Sequence, residues 1–187
     1  MFNAALLFEF VLGFDAFIAR SIIDIFPRSP YLQLFFAFLS LQGLTVIIWI
    51  LALIFWISWE EYNHHKFILY FLLSFGISTF FVEVILKNIV QRLRPWVVWH
   101  LMQNGCPASF SFPSGHAAGA FAGAVIFAHF DPKRKYWYYL LASLIAFSRI
   151  YLYCHFFLDV VAGGLIGYAI GRILLVSLQK KKLDHHS

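Results

Sequence analysis

Apolar residues in this chain come in long runs, and the runs have the length of a bilayer crossing. A hydrocarbon core about 30 Å thick takes roughly 20 helical residues. Five stretches meet or approach that length, at about 33–58, 67–91, 114–130, 136–153 and 158–178. Polar connectors separate them: Trp59 to Lys66 between the first two, and Asp131 to Lys135 between the third and fourth. Residues 93–113 make the one long loop, rich in Pro, Gly and aromatics. A further apolar run, about 4–26, carries Glu9, Asp15, Arg20 and Asp24. At about 100° per residue, Glu9, Arg20 and Asp24 fall within about 60° of one another, with Asp15 on the far side. This run is read as a first span whose polar stripe faces the bundle; the alternative is an amphipathic helix in the interface. The pattern therefore predicts an all-α, polytopic transmembrane bundle of six helices, five clear spans plus the N-terminal helix. Residues 1–187 form one membrane-embedded domain, with no repeat, low-complexity segment or linker.

Composition supports the same solvent. Of 187 residues, 61% are hydrophobic and 12% charged, against about 45–50% and 25% in soluble domains. Tyr and Trp cluster near the ends of the runs, as at membrane interfaces. The net charge of +5 does not point to nucleic acid, because the basic residues flank apolar segments. Lys133, Arg134 and Lys135, and then Lys180, Lys181 and Lys182, lie on one side if the helices alternate. By the positive-inside bias that side is cytoplasmic, and so is the C-terminus. Loop 93–113 and the turn at 151–157 then face the other way. Lys87, Arg92 and Arg94 go with them against the trend, and cations so placed are usually functional. Cys106 and Cys154 show neither metal-ligand spacing nor a disulfide framework and are expected to be unpaired thiols. No basic n-region or cleavage site marks a signal peptide.

Three clusters of polar residues lie on that outer side. Lys87 and Arg94, seven apart, are offset by about 20° on a helix that Pro95 is expected to stop. Two cations on one face at a lipid–water boundary suit an anion with several oxygens. Ser114 and Gly115 open the small-residue span, exposing unpaired N–H groups where the helix dipole favours negative charge. His116 reaches into the same space. In the third cluster, His155 and Asp159 are four apart and able to hydrogen-bond. A carboxylate on one ring nitrogen leaves the other free to attack. Arg149 joins them if a tight turn precedes His155. Three cations, a helix N-terminus and two histidines, with no cage for a divalent metal, suit phosphoryl transfer.

These clusters resemble the signature of the type 2 phosphatidic acid phosphatase superfamily. KNIVQRLRP (Lys87 to Pro95), PSGH (Pro113 to His116) and SRIYLYCHFFLD (Ser148 to Asp159) match its three motifs at every defining position. The resemblance covers about 75 residues directly. It implies a phosphatase that needs no metal or other cofactor, acting on a lipid phosphate at the extracytoplasmic face of the cell membrane. His155 would be the nucleophile forming a phosphohistidine, with Asp159 orienting it. His116 would protonate the leaving oxygen and then activate water. Lys87, Arg94, Arg149, Ser114 and the Gly115 N–H would hold the phosphate oxygens. Undecaprenyl diphosphate and phosphatidylglycerol phosphate are the substrates the compact chain suggests; oligomeric state is left open. A lipid phosphotransferase would use the same residues, and a non-enzymatic membrane protein with a degenerate site is the rival from another class.

Overall fold

The computed structural model describes residues 4–27, 29–40, 64–101 and 106–184. Among them there is no strand, and six longer helices carry the fold. We number these α1 (Ala4–Ile25), α2 (Pro30–Ser40), α3 (His64–Phe80), α4 (Gly115–Phe130), α5 (Lys135–Tyr151) and α6 (Phe157–Asp184). The expected span at 33–58 falls partly on α2, and its remainder lies outside the described residues. Among the described residues, two apolar helical stretches, Lys66–Val98 and Phe157–Ser177, are long enough to cross a membrane; Pro30–Leu39 and Gly115–Phe130 are apolar but shorter.

Helix α4 is the axis of the bundle, and its sequence explains why. Its first thirteen residues include five Ala and three Gly, and nearly every residue from Gly115 to Phe127 is buried. Small side chains let neighbours approach closely, which is how helices associate where the solvent is as apolar as the side chains. The closest approach is to α6. A Cβ on Gly163 would overlap the carbonyl oxygen of Ser114, and one on Gly167 would overlap that of Ala118. One turn further on, Gly171 meets Val125 and Ala122. The stripe Gly163–Gly167–Gly171 thus sets backbone against backbone. Helices α3 and α5 pack larger groups onto α4: Phe67 and Phe71 each meet Phe127 edge to face, with Ile126 and Ile145 beside them. Outward-facing Leu69, Leu72, Ile77 and Phe80 on α3, and Leu165 and Ile173 on α6, present an apolar exterior.

Two connections set which residues share an end. Between α4 and α5, Asp131 accepts from the Arg134 N–H at 3.4 Å, pairs with the Arg134 guanidinium at 3.0 Å and accepts from the Tyr138 hydroxyl at 2.6 Å. Between α5 and α6 the chain reverses through Leu152–Phe156. The N–H groups of Cys154 and His155 both donate to the Arg149 carbonyl, at 3.0 and 3.1 Å, and Tyr153 takes a left-handed φ of 60°. This is the tight turn that brings Arg149 beside His155.

Two expectations are overturned. Cys106 and Cys154 are joined in a disulfide, their Cα atoms 5.3 Å apart across a sequence separation of 48. A single pair so far apart carries no spacing pattern; only the return of loop 93–113 onto the α5–α6 turn brings them together. The face of α1 is also reversed. Asp15, Ala19 and Ile23, at i, i+4 and i+8, are buried against the bundle, whereas Glu9, Arg20 and Asp24 are exposed. Helical angles group the charges correctly but do not say which group turns inward. The buried face goes to the single carboxylate that finds partners there.

The glycine contact predicts a graded response to substitution. Gly167→Ala should lower the melting temperature in detergent, at a cost of about 1–3 kcal/mol for overpacking against backbone. Gly13→Ala, whose Cβ would meet nothing within 4 Å, should leave it unchanged or raised. A Gly167→Ala protein that melts at the wild-type temperature would remove backbone contact as the basis of the α4–α6 interface.

Candidate active site

The α3 helix does not end at Phe80. It widens into a π-helical segment, Phe81–Leu86, in which the Lys87 N–H bonds to the Val82 carbonyl five residues back, and closes with one α turn, Lys87–Val90. Gln91, with φ of 52°, then breaks the helix, and the chain is extended at Arg94 (φ −81°, ψ 155°). Pro95 begins the short helix Pro95–Val98 and does not stop the longer one. The expectation of one helix through Arg94 is therefore corrected, and the cause is local. Proline disfavours α geometry in the residue before it and is well suited to the first helical position. Lys87 and Arg94 still converge, by a bend. Both donate to the hydroxyl of Ser109, Lys87 Nζ at 3.3 Å and Arg94 Nη2 at 3.1 Å. Arg94 also donates from Nε to the Ser109 carbonyl at 2.6 Å and from Nη1 to the Cys154 carbonyl at 2.8 Å. Both cations are almost wholly buried, so these contacts replace the water they have lost.

Ser114 caps α4: its Oγ accepts from the Ala117 N–H at 3.4 Å, and its own N–H donates to the Asp159 carbonyl at 2.9 Å. That second bond ties the start of α4 to the first turn of α6. Helix α4 starts at Gly115, so its leading N–H groups have no carbonyl one turn behind them. His116, in this first turn, lies within electrostatic reach of Arg149, His155, Lys87 and Arg94.

His155 precedes α6 and is buried. Its Nε2 lies 3.2 Å from Arg94 Nη1. A guanidinium only donates, so Nε2 carries the lone pair and the proton sits on Nδ1. Nδ1 faces Ser111 Oγ at 3.4 Å, while Asp159 Oδ2 is further away, at 3.7 Å. The Ser111 hydroxyl in turn donates to Asp159 Oδ2. The expected direct His155–Asp159 hydrogen bond is thus relayed through a serine. Burial, followed by the fields of Arg94, Arg149 and Lys87, holds the His155 imidazole well below its ordinary range, so the ring is neutral. Among the described residues no three His, Cys, Asp or Glu side chains gather as a metal cage.

Lys87, Arg94, Ser114, Gly115, His116, Arg149, His155 and Asp159 therefore meet at one end of the bundle. Five polar residues that sequence reasoning did not assign meet there too. Ser109 and Ser111 come from the loop that the disulfide fastens to the α5–α6 turn. Arg92 bridges two buried carboxylates, Asp159 Oδ1 at 2.6 Å and Asp15 Oδ2 at 2.7 Å, with its guanidinium over the Phe156 ring. Asp15 also accepts from the Leu158 N–H at 2.8 Å, and so caps α6 from α1. Glu83 pairs with Lys87 from the π-helical segment, Nζ lying 2.8 Å from each carboxylate oxygen. Of the five, sequence reasoning singles out only Arg92, for its placement among outer-side cations, and Asp15, which it sets on the far side of α1 from the polar stripe.

Removing the carboxylate of Asp15 strips Arg92 of one partner and α6 of its cap. Asp15→Asn should lower the melting temperature, costing about 1–3 kcal/mol, while Glu9→Gln and Asp24→Asn should leave it within error. Equal effects from all three would contradict the buried role of Asp15.

Comparison with known proteins identifies the family. The sequence pattern that defines the PAP2 superfamily matches residues 67–183, which contain all three motif regions. Among curated proteins, the undecaprenyl-diphosphatase of Sulfolobus acidocaldarius is 37% identical over 101 residues, covering 51% of this chain and 47% of that protein. The phosphatidylglycerophosphatase B of Bacillus subtilis is 35% identical over 107 residues, covering 51% and 50%. The chain thus spans about half the length of the curated relatives it matches. Among solved structures, LpxE of Aquifex aeolicus is 30% identical with a TM-score of 0.64, over 84% of this chain and 92% of that one. With more than half of its length inside the family pattern and the motif residues gathered at one end of a helical bundle, the chain belongs to the PAP2 superfamily.

Proposed function

We propose that the chain is an integral membrane lipid phosphatase, a single domain that hydrolyses a phosphomonoester or diphosphate of a membrane lipid through a phosphohistidine. The observation that carries the reading is the state of His155. It is a neutral imidazole with its proton on the Ser111–Asp159 side and its lone pair turned toward the cations. A nucleophile must present such a lone pair to phosphorus while its other nitrogen is held. In this reading Lys87, Arg94, Arg149 and the leading N–H groups of α4 hold the phosphate group that His155 attacks. Arg94 exchanges His155 Nε2 for a phosphate oxygen as substrate enters. His155 attacks phosphorus and His116 gives a proton to the departing oxygen. His116 then takes a proton from water, which cleaves the phosphohistidine and releases phosphate. The positive charge that develops on His155 is stabilised through Ser111 by Asp159. Electrostatic positioning of the transferring oxygens supplies most of the rate.

A lipid substrate fits the surroundings. An apolar cavity of about 520 Å³ between α4, α5 and α6 is lined by Phe121, Phe147, Phe157 and Leu165 and by Ile150 and Val160, the residues that follow Arg149 and Asp159 in the chain. It suits an acyl or prenyl chain whose headgroup reaches the cations. The names of the curated relatives suggest undecaprenyl diphosphate and phosphatidylglycerol phosphate as the first candidates. The disulfide adjoins the site, and disulfides persist in oxidising compartments, which favours an extracytoplasmic site and a cytoplasmic C-terminus. The N-terminal helix is read as a span because its inward face is bonded to the bundle, and the whole as a multi-pass protein.

Purified protein in detergent should release phosphate from one of these lipids, retain activity in EDTA and be inhibited by orthovanadate. His155→Ala should lower phosphate release about a thousandfold or more while keeping the wild-type melting profile. Turnover that survives in this variant, or that requires an added divalent cation, would count against the mechanism. For the location, protein denatured without reductant should take up no maleimide, and after reduction should take up two equivalents. Labelling without reduction in protein isolated from intact cells would count against an oxidising face.

A further inference from the structure

The proposed mechanism does not use Glu83, yet Glu83 lies inside the space that mechanism needs. Its carboxylate rests against Gly115, where a Cβ would collide with Oε1, at the leading turn of α4. Both oxygens accept from Lys87 Nζ, and the charge also acts on Arg94 and Arg149. A carboxylate packed against the first residue of a helix and paired with a lysine occupies a place suited to a phosphate oxygen. Its side chain is 36% exposed, whereas Asp15 and Asp159 are fully buried, so it is the accessible carboxylate of the site. Its seat is a π-helical turn, a local widening that recurs at functional sites.

The charges are also suggestive. Lys87, Arg92, Arg94 and Arg149 face three carboxylates, those of Asp15, Asp159 and Glu83. Asp15 and Asp159 are fully buried and anchored by backbone N–H groups. Glu83 is held instead by the flexible side chain of Lys87 and is the carboxylate able to leave. If it does, four cations face two carboxylates, and a dianionic phosphate group restores the balance.

We propose that Glu83 is an internal counter-anion, which fills the oxyanion site against Gly115 and Lys87 in the free protein and is displaced by the incoming phosphate group. The inference rests on the phosphatase reading for the identity of the anion. Exchange of one anion for another keeps the buried cations compensated at every stage, which an empty site would not. It also sets a threshold: a ligand with one negative charge gains little over Glu83, whereas a phosphate dianion outcompetes it.

The test is direct binding of orthovanadate and of inorganic phosphate to detergent-solubilised protein by titration calorimetry, which needs no turnover. Glu83→Gln, nearly isosteric, should bind both about tenfold tighter than wild type, the order expected from removing one partly screened competing charge. Glu83→Asp keeps the charge but draws it back from Gly115, and should also bind more tightly, by a smaller factor. Lys87→Met should bind more weakly. Glu83→Gln binding at wild-type strength or more weakly would overturn the inference, since weaker binding is what a residue that merely positions Lys87 predicts. Glu83→Asp at wild-type strength would overturn displacement in favour of a fixed charge. A parallel assay of phosphate release separates the two readings: binding that follows this order in a protein without turnover sinks the phosphatase assignment and leaves the counter-anion standing. Absence of anion binding in all four proteins sinks both.

Discussion

Two helix backbones, α4 and α6, lie in contact because the positions where side chains would intervene are glycine, and this contact fixes the geometry of everything at that end of the molecule. With Gly163 against the Ser114 carbonyl and Gly167 against that of Ala118, the start of α4 is held beside the first turn of α6. The Ser114 N–H can then donate to the Asp159 carbonyl. Apolar side chains give no net driving force for helix association in lipid, so close approach and packing must supply it. A wider α4–α6 spacing would carry the α4 N-terminus away from His155 and Asp159 together. Under the proposed function, the stripe takes no part in the phosphate chemistry, yet it sets the distance over which that chemistry has to act.

The second constraint is electrostatic. Four cations in so small and buried a region repel one another, and each needs compensation. Arg92 lies between Asp15 and Asp159, Arg94 among the Ser109 and Cys154 carbonyls, and Lys87 on Glu83. Asp159 consequently has three tasks. It caps the Phe156 N–H, accepts from Ser111 and binds Arg92. A carboxylate held from three directions has little freedom, and through Ser111 it transmits that rigidity to the His155 ring. The N-terminal helix belongs to this arrangement, since Asp15 reaches both Arg92 and the α6 N-terminus.

The parts of the site legible in the sequence were those in which chemistry repeats at short, fixed spacing. Ser114–Gly115–His116 at the head of a small-residue run reads as a helix start, and it is one. His155 and Asp159, four apart, read as neighbours. Lys87 and Arg94 were grouped correctly on an incorrect basis, since helical periodicity assumed seven unbroken α residues where the chain makes one α turn, a left-handed residue and an extended segment. What the sequence did not disclose depends on contacts between distant segments. Asp15 meets a residue 143 positions away, Ser111 one 48 away, and Cys106 its partner across the same interval. No local pattern announces such pairs; they exist only once the helices are packed. The inward face of α1 was missed for this reason, because three charges on one side outweigh one on the other until the one is seen to have partners.

The disulfide joins these constraints. It fastens the loop that carries Ser109 and Ser111 to the turn that carries His155. Ser109 is what gathers Lys87 and Arg94, and Ser111 is what links His155 to Asp159. Neither serine lies on a helix, so neither has a regular backbone ladder to hold it; the cross-link and the Ser111 N–H bond to the Arg92 carbonyl, at 2.7 Å, do so instead. A loop closed in this way loses fewer conformations when it orders around an anion, which lowers the entropy that binding must overcome. The same bond is durable only on an oxidising side of a membrane. Under the proposed function, the compartment in which the loop is covalently held is therefore the compartment from which the phosphate group is approached and into which it is released.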